Sequence, residues 1–342
     1  MKPAIVKEKF ALGELTTFAL PAVAACFAEV TTLNELNQCL DYAENRQLEV
    51  VVMGEGSNLV FMGDYPGMVI KVSLKGIQVE GRSLRVAAGE NWHETVTWAL
   101  SQGLYGLENL SYIPGTAGAA PVQNIGAYGV ELAQYLEWVR VLDRTTGKIQ
   151  ELDKKACEPG YRDSIFKGKD RDRFVIIELS LGLTRQFEPI LVYDSLREEL
   201  DRKNIVESSL TAMAMSQLIG SIRQRKLPDP SITGNAGSFF KNPVIDEQYQ
   251  QILIARYPAM QMIPQGKAEY KVSAAWLIEN AGLKGLTIGQ VGVSEKHSLV
   301  LVNHGAGSAR DLAELLKKVT GSVNDLFGIE LEPEPRMINC LD

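Results

Sequence analysis

Two hydrophobic rhythms alternate along the chain. Thr32 and Glu35 form a capping pair, and Leu33, Leu36 and Leu40 recur at helical spacing, which predicts an amphipathic helix. Residues 49–53 (EVVVM) are short and β-branched, run into Gly54-Glu55-Gly56-Ser57-Asn58, and are followed by a second apolar stretch from Leu59. The pattern predicts strand, glycine turn, strand. Further strands are predicted at 84–88, 138–142 and 174–183, with turn chemistry such as Thr146-Gly147 between them and one helix at 92–102. Helical patterns then cover 194–200, 213–225, 274–280 and 308–327, the last two closed by Gly282 and Gly328. A last short strand is predicted at 329–338. Strand runs followed by a helix-rich stretch from about Leu210 predict an α+β protein of separate domains, with boundaries near Val72 and Leu210.

Composition narrows the class. A chain of 342 residues, 45% hydrophobic and 23% charged, can bury more than one core as a soluble globular protein, which suggests two or three domains. A net charge of -7 and a pI near 5.3 leave no basic stripe for a nucleic-acid backbone. Cys26, Cys39, Cys157 and Cys340 are scattered without a CxxC pair or histidines at ligand spacing, so reduced thiols are expected and a metal site is not. Residues 19–28 (ALPAVAACFA) imitate the apolar part of a secretory signal, but Glu8, Glu14 and Pro21 break the imitation. No apolar run approaches the length of a membrane span, and a cytoplasmic protein is expected.

Two glycine-rich segments carry the first chemistry. The segment 54–58 begins like GxGxxG but has Leu59 in place of the third glycine and a strand on its flank, so it is no Rossmann loop, and no GxxxxGK[ST] occurs. Small residues after a strand still let backbone N–H groups converge on an anion. The segment 114–129 (PGTAGAAPVQNIGAYG) repeats that character, with Gly115, Gly118, Gly126 and Gly129 interleaved with Thr116, Gln123 and Asn124. A cluster of structural turns is the alternative. Three other stretches join hydroxyl, cation and carboxylate: 160–164 (GYRDS), 234–243 (GNAGSFFKNP) and 331–336 (LEPEPR). Taken singly, Arg162 reads more readily as a solvated loop residue, Ser238 as a cap and Glu334 as an edge charge.

Together these segments resemble the UDP-N-acetylenolpyruvoylglucosamine reductase family. Residues 54–58, 113–129, 161–164, 226–230 (KLPDP), 234–243 and 332–334 occur in the family's order and spacing, so the resemblance covers nearly the whole chain. Tyr193, in PILVY, looks like the substrate-loop tyrosine of the family's type I branch. The resemblance implies an FAD-binding domain of the type shared with vanillyl-alcohol-oxidase-like flavoproteins, a small N-terminal α/β domain and an α+β substrate-binding domain. In that division the small N-terminal domain takes 1–72 joined by 329–342, the FAD-binding domain 73–209, and the substrate-binding domain 210–328. It also implies non-covalent FAD, with NADPH as co-substrate, used to reduce the enolpyruvyl ether of a UDP-sugar during peptidoglycan precursor synthesis.

Residue by residue, the resemblance makes Arg162, Ser238 and Glu334 the catalytic group, with Ser238 as proton donor and Arg162 as the cation beside the substrate carboxylate. Cofactor contacts fall on Gly54, Glu55, Gly56, Ser57 and Asn58 in the first segment. In the second they fall on Pro114, Gly115, Thr116, Gly118 and Ala119, then on Gln123, Asn124, Gly126, Ala127 and Tyr128. Substrate contacts fall on Tyr161, Tyr193, Lys226 and Asn242, the lysine suiting a diphosphate. Many members carry a serine where Ala119 and Ala120 stand, so contacts there come from the backbone. No obligate protein partner is implied. Two rivals remain at this point: another oxidoreductase on the same flavin scaffold, and a nucleotide-binding module without turnover.

Overall fold

The structure, a computed structural model, describes residues 2–266 and 268–339. The chain folds into two compact units. One comprises Met1–Phe10, Ala24–Glu55 and Pro66–Arg225, the other Ala11–Val23, Gly56–Tyr65 and Lys226–Asp342.

The first unit holds a four-stranded sheet ordered Lys7–Ala11, Val23–Val30, Tyr65–Val72, Val50–Met53. The stretch that imitated a leader thus supplies a strand. Val50–Met53 runs parallel to Tyr65–Val72, with Val51 opposite Val69. Helix α1 (Leu33–Asn45) precedes it and buries Leu36, Cys39, Tyr42 and Ala43. Its start is fixed as the sequence predicts, Thr32 Oγ1 accepting from Glu35 N at 3.2 Å while the Glu35 carboxylate accepts from Thr32 N at 3.1 Å. A second, antiparallel sheet is ordered Ile149–Asp153, Leu136–Asp143, Phe174–Gly182, Ser83–Ala87, Ile77–Glu80. Alternation divides its faces: Leu84, Val86, Val139, Val141, Leu179 and Leu181 are buried in the core, whereas Arg85, Arg140 and Glu178 lie on the other face. Helix α2 (Trp92–Ser101) is N-capped by Asn91, and its Trp92 is buried with the indole N–H donating to Leu110 O at 2.9 Å. Helices α3 (Asp194–Arg202) and α4 (Ala212–Lys226) share a smaller core of Leu191, Leu196, Leu200, Met215, Ile219 and Ile222.

The second unit corrects the expectation of a mainly helical stretch beyond residue 210. Between 234 and 303 the described residues include seven strands. Gly234–Ser238, Val300–Asn303, Val291–Val293 and Thr287–Ile288 form one antiparallel sheet; Val244–Asp246, Glu269–Val272 and Met262–Gln265 form another. These strands are two to five residues long, too short for alternation to declare itself. Helices α5 (Glu247–Arg256), α6 (Ala274–Asn280) and α7 (Ala309–Phe327) complete the unit. Helix α7 starts on a Ser308–Asp311 capping box, ends on left-handed Gly328 (φ 63°), and buries Leu312, Leu315, Val319, Val323 and Phe327. The last strand is shorter than predicted: Arg336–Ile338 pairs, parallel to Leu59–Phe61, and ahead of it the segment makes an isolated bridge, Pro333 to Phe240. Pro333 and Pro335 lack the N–H a ladder needs.

Among the described residues no helix is long and apolar enough to cross a membrane, and no group of three His, Cys, Asp or Glu side chains is placed to hold a metal ion. Cys26, Cys39 and Cys157 are buried and unbridged, and Cys340 lies outside the described residues.

Candidate active site

Gly54 and Glu55, which open the first glycine segment, meet the second segment in the first unit. A Cβ on Gly54 would stand 2.2 Å from Thr116 Oγ1, so only glycine allows that approach. Asn91, the cap of α2, joins them: its backbone bridges to Thr116, its Nδ2 donates to the Glu55 carboxylate at 3.1 Å, and its Oδ1 accepts from Glu94 N. Asn91 was not singled out in the sequence, although Asn91-x-x-Glu94 ahead of an apolar helix is a readable cap signal. Gly118 packs equally close, its missing Cβ lying 2.5 Å from Ala88 Cβ, and Gly118 N donates to Ala88 O at 2.9 Å. Ala119 sits in the short turn that follows, where its N–H returns to Thr116 O. Left-handed φ at Gly56 (66°), Gly115 (120°), Asn124 (44°) and Tyr128 (50°) gives both segments the turning backbone of an anion nest.

Asn124 is nearly inaccessible, and its side chain is fully engaged. Nδ2 donates to Gly160 O and to the Glu131 carboxylate, each at 2.9 Å, while Oδ1 accepts from Ala133 N at 2.9 Å. It therefore anchors the cofactor segment to the residue preceding Tyr161 and Arg162. Arg162 itself adopts left-handed φ (53°), lies over the Tyr161 ring at 5.3 Å and donates from Nη2 to Gly126 O at 2.6 Å. A non-glycine residue bearing the guanidinium in such a conformation marks a constrained position. Ser164 Oγ donates to Val122 O at 2.6 Å and secures the same loop beside Gln123.

Tyr193 is drawn to this group as well. Its ring meets Tyr128 edge-on at 6.1 Å, and Asn109 Nδ2 donates to both Tyr128 O and Ile190 O at 2.9 Å. Asn109 is another positioning residue that the sequence did not disclose, since nothing in Leu107-Glu108-Asn109-Leu110-Ser111 sets it apart from its polar neighbours. Burial pushes the Tyr128 hydroxyl up, against the opposing pull of Arg223 and Arg225. The Arg223 guanidinium is lowered by burial, and its Nε donates to Tyr112 O at 3.1 Å.

In the second unit Ser238 ends the strand Gly234–Ser238 opposite Val300, after a bulge at Ala236 and Gly237. Gly237 is left-handed (φ 69°), and the space a Cβ would fill there is open. Ser238 is a strand residue, not a cap. The 331–336 segment runs antiparallel beside it: Phe240 bridges Pro333, Lys241 N donates to Glu332 O, and Glu334 N donates to Phe239 O at 2.9 Å. Asn58 completes the arrangement, its Nδ2 reaching Glu334 O at 3.5 Å and its O accepting from Arg336 N at 3.0 Å. Gly56 and Ser57 are tied to Thr17, whose O accepts from Asn235 N. So Ser238, Glu334 and the 56–58 segment, distant in sequence, form one backbone cluster. Asn242 Oδ1 accepts from Ala274 N at 2.9 Å at the start of α6. Lys226 is exposed and acts electrostatically on His297, whose imidazole is lowered first by burial and then by Lys226.

The small-residue approaches at Gly54 and Gly118 and the left-handed turns fit a cofactor pyrophosphate held by backbone N–H groups. Comparison with known proteins agrees. Residues 24–153 match the family described as FAD binding domain, and residues 229–338 match the UDP-N-acetylenolpyruvoylglucosamine reductase C-terminal domain. The chain is 42% identical to the UDP-N-acetylenolpyruvoylglucosamine reductase of Pseudomonas putida over 97% of its length and 98% of the relative's. It is 40% identical to that of Ralstonia nicotianae over 98% of its length and the whole of the relative. Among solved structures, the Thermus caldophilus UDP-N-acetylenolpyruvylglucosamine reductase aligns with a TM-score of 0.68 at 25% identity, covering 97% of this chain and 98% of that one. These matches bear out the α+β class with an FAD-binding domain, and the chain belongs to the UDP-N-acetylenolpyruvoylglucosamine reductase family.

Proposed function

We propose that the reductase chemistry of this family runs on Arg162, Ser238 and Glu334 of this chain. The protein is an FAD-dependent oxidoreductase that reduces the enolpyruvyl group of UDP-N-acetylenolpyruvoylglucosamine to give UDP-N-acetylmuramate for peptidoglycan, with NADPH as co-substrate. When bound, FAD supplies the two-electron transfer between NADPH and the substrate. The chain's residues hold and polarise. Backbone of 54–58 and of 114–128 cradles the cofactor phosphates; Tyr161, Tyr193, Lys226 and Asn242 hold the nucleotide, with the lysine ammonium as a point charge for diphosphate. Reduction of the alkene leaves negative charge beside the substrate carboxylate, and the Arg162 guanidinium faces it. The Ser238 hydroxyl then gives its proton to the carbon, an acceptor basic enough for so weak an acid. Glu334 polarises that step.

The observation that carries this reading is the hydrogen bond from Glu334 N to Phe239 O, which fixes Glu334 on the backbone next to Ser238. A three-part division of the chain, 1–72 with 329–342, 73–209 and 210–328, goes with the reading; the pairing of Arg336–Ile338 with Leu59–Phe61 supports joining the C-terminal strand to the first part. The acting compartment is the cytoplasm, where the UDP-sugar and NADPH are at hand, and no protein or nucleic-acid partner is required.

The test separates the two half-reactions. Ser238→Ala should still bleach its flavin with NADPH at near the parent rate but lose enolpyruvyl turnover by at least ~100-fold, the low end for a positioned general acid. Ser238→Cys should retain part of the activity. Stopped-flow absorbance follows both halves, and reoxidation of Ser238→Ala by substrate at the parent rate would refute the assignment.

A further inference from the structure

Glu199 is a carboxylate on the apolar stripe of α3, set between Leu196 and Leu200 and without solvent access. Such a group needs cations, and it has three. Arg202 of the same helix donates from Nη2 to Oε1 and from Nε to Oε2 at 3.0 Å; Arg225 Nη1, in the last turn of α4, donates to Oε2 at 2.5 Å; Lys203 Nζ lies 3.9 Å away. Arg202 and then Arg225 hold the carboxyl down at about 2, against the effect of burial. Lys203 makes a second link to α4, donating to Ser221 Oγ at 2.6 Å.

Arg202 alone would neutralise Glu199 from within α3, so Arg225 does something more. A buried ion pair gives little net stability over an apolar contact, but it fixes one placement of the elements that carry it. The residues at the ends of those elements are the ones that matter. Tyr193 opens α3 without a side-chain cap, and Arg225 is followed directly by Lys226. The two ends also approach through Tyr128, which meets the Tyr193 ring and responds to the charge of Arg225. Apolar packing of α3 on α4 is non-directional, and the Glu199–Arg225 contact adds a directional tie between them.

We propose that Glu199 is a positioning residue for substrate: by tying α3 to the end of α4 it sets Tyr193 and Lys226 at the spacing that grips the nucleotide diphosphate. This rests on the reductase reading above. The experiment uses the full chain loaded with FAD. Glu199→Gln should raise KM for the enolpyruvyl nucleotide about tenfold, with kcat and the rate of flavin reduction by NADPH changed by no more than about twofold. Arg225→Gln, which leaves Glu199 its Arg202 partner, should raise KM in the same direction, so the proposal stays testable if Glu199→Gln fails to fold. Because Glu199 acts through Tyr193, its effect on KM in a Tyr193→Phe background should shrink to about twofold. An unchanged KM in Glu199→Gln or Arg225→Gln, or effects of Glu199→Gln and Tyr193→Phe that multiply in full, would overturn the role while the reductase reading stands. A parent protein whose NADPH oxidation does not depend on the enolpyruvyl nucleotide would instead sink the reading, and the role with it.

Discussion

Gly54 and Gly237 both lie in segments that sequence assigns to ligand binding, yet they are glycine for different reasons. At Gly54 the obstacle is contact, since a Cβ would meet Thr116 Oγ1 at 2.2 Å; at Gly237 it is torsion, since φ is 69° and nothing lies within 4 Å. Overpacking costs about 1–3 kcal/mol, and a left-handed side-chain residue about 1–2 kcal/mol, so both alanines destabilise by similar amounts. Their rescue differs. Gly54→Ala should lower Tm and reduce the flavin-to-protein absorbance ratio, and adding Thr116→Ala should restore much of the Tm; Gly237→Ala should gain nothing from the same second change. Thermal melts of the four variants decide it, and a Gly54→Ala protein that melts with the parent would contradict the steric account. The gathering of small residues at 54–58 and 114–129 was legible in the sequence. That Gly54 faces Thr116, and that Asn124 gives its side chain to Gly160, Glu131 and Ala133, was not, because each depends on residues brought together by the fold.

Elements with local stop and start chemistry were the most legible. Helices α1 and α7 begin at Thr32 and Ser308 and α7 ends at Gly328 because caps act within one turn and need no tertiary partner. Strands such as Gly234–Ser238 were hidden: GNAGS has no β-branched or aromatic residue, and it is a strand only because Val300–Asn303 lies beside it. Tyr193 shows how an element boundary places a residue proposed to bind substrate. As the residue that opens α3 it is 41% exposed, held by ring contact with Tyr128 and by the tether from Asn109 to Ile190 O, so its hydroxyl is available to a nucleotide. Tyr193→Phe keeps the ring contact and removes one hydrogen bond, a loss of about 1 kcal/mol or about fivefold in substrate affinity. Flavin reduction by NADPH should be unaffected, since in the proposed reading Tyr193 contacts the enolpyruvyl nucleotide, which takes part only in the second half-reaction. Stopped-flow traces showing equal damage to both halves would contradict that role.

For the whole molecule, the least legible feature was how the chain divides. Residues 11–23 and 56–65 belong with the C-terminal unit because their partners are remote in sequence, as when Asn303 Nδ2 donates to Phe18 O and Ala19 O at 3.0 Å. No local pattern announces such pairings. Stability against pH is likewise a property of the entire chain, summed over every group whose pKa changes on folding. Among the described residues, the carboxylates with a shifted pKa pull one way with one exception. Glu199, held at about 2 by Arg202 and Arg225, Asp143, held low by Arg173, and Asp311, held low by Ser308, contribute fully above the ordinary carboxylate range and lose that contribution as pH falls through their folded values. His93 and His297, lowered by burial, also favour the fold above the ordinary imidazole range and weaken it as pH falls. Glu108 pulls the other way. It is 4% exposed and accepts from Gly106 N at 2.9 and 3.1 Å, and burial outweighs these bonds and raises its carboxyl. A folded value above the unfolded one favours folding fully below the ordinary carboxylate range, a contribution lost as pH rises through the folded value. Glu108→Gln keeps the shape and an acceptor for Gly106 N but carries no charge, so it should melt about 2 °C or more above the parent at about pH 8, with the difference closing towards zero at about pH 4. Because the other titrating groups are common to both proteins, the difference between their melting curves isolates Glu108. A gap of the same size at both pH values would mean that packing at the site, rather than the buried charge, sets the contribution of Glu108.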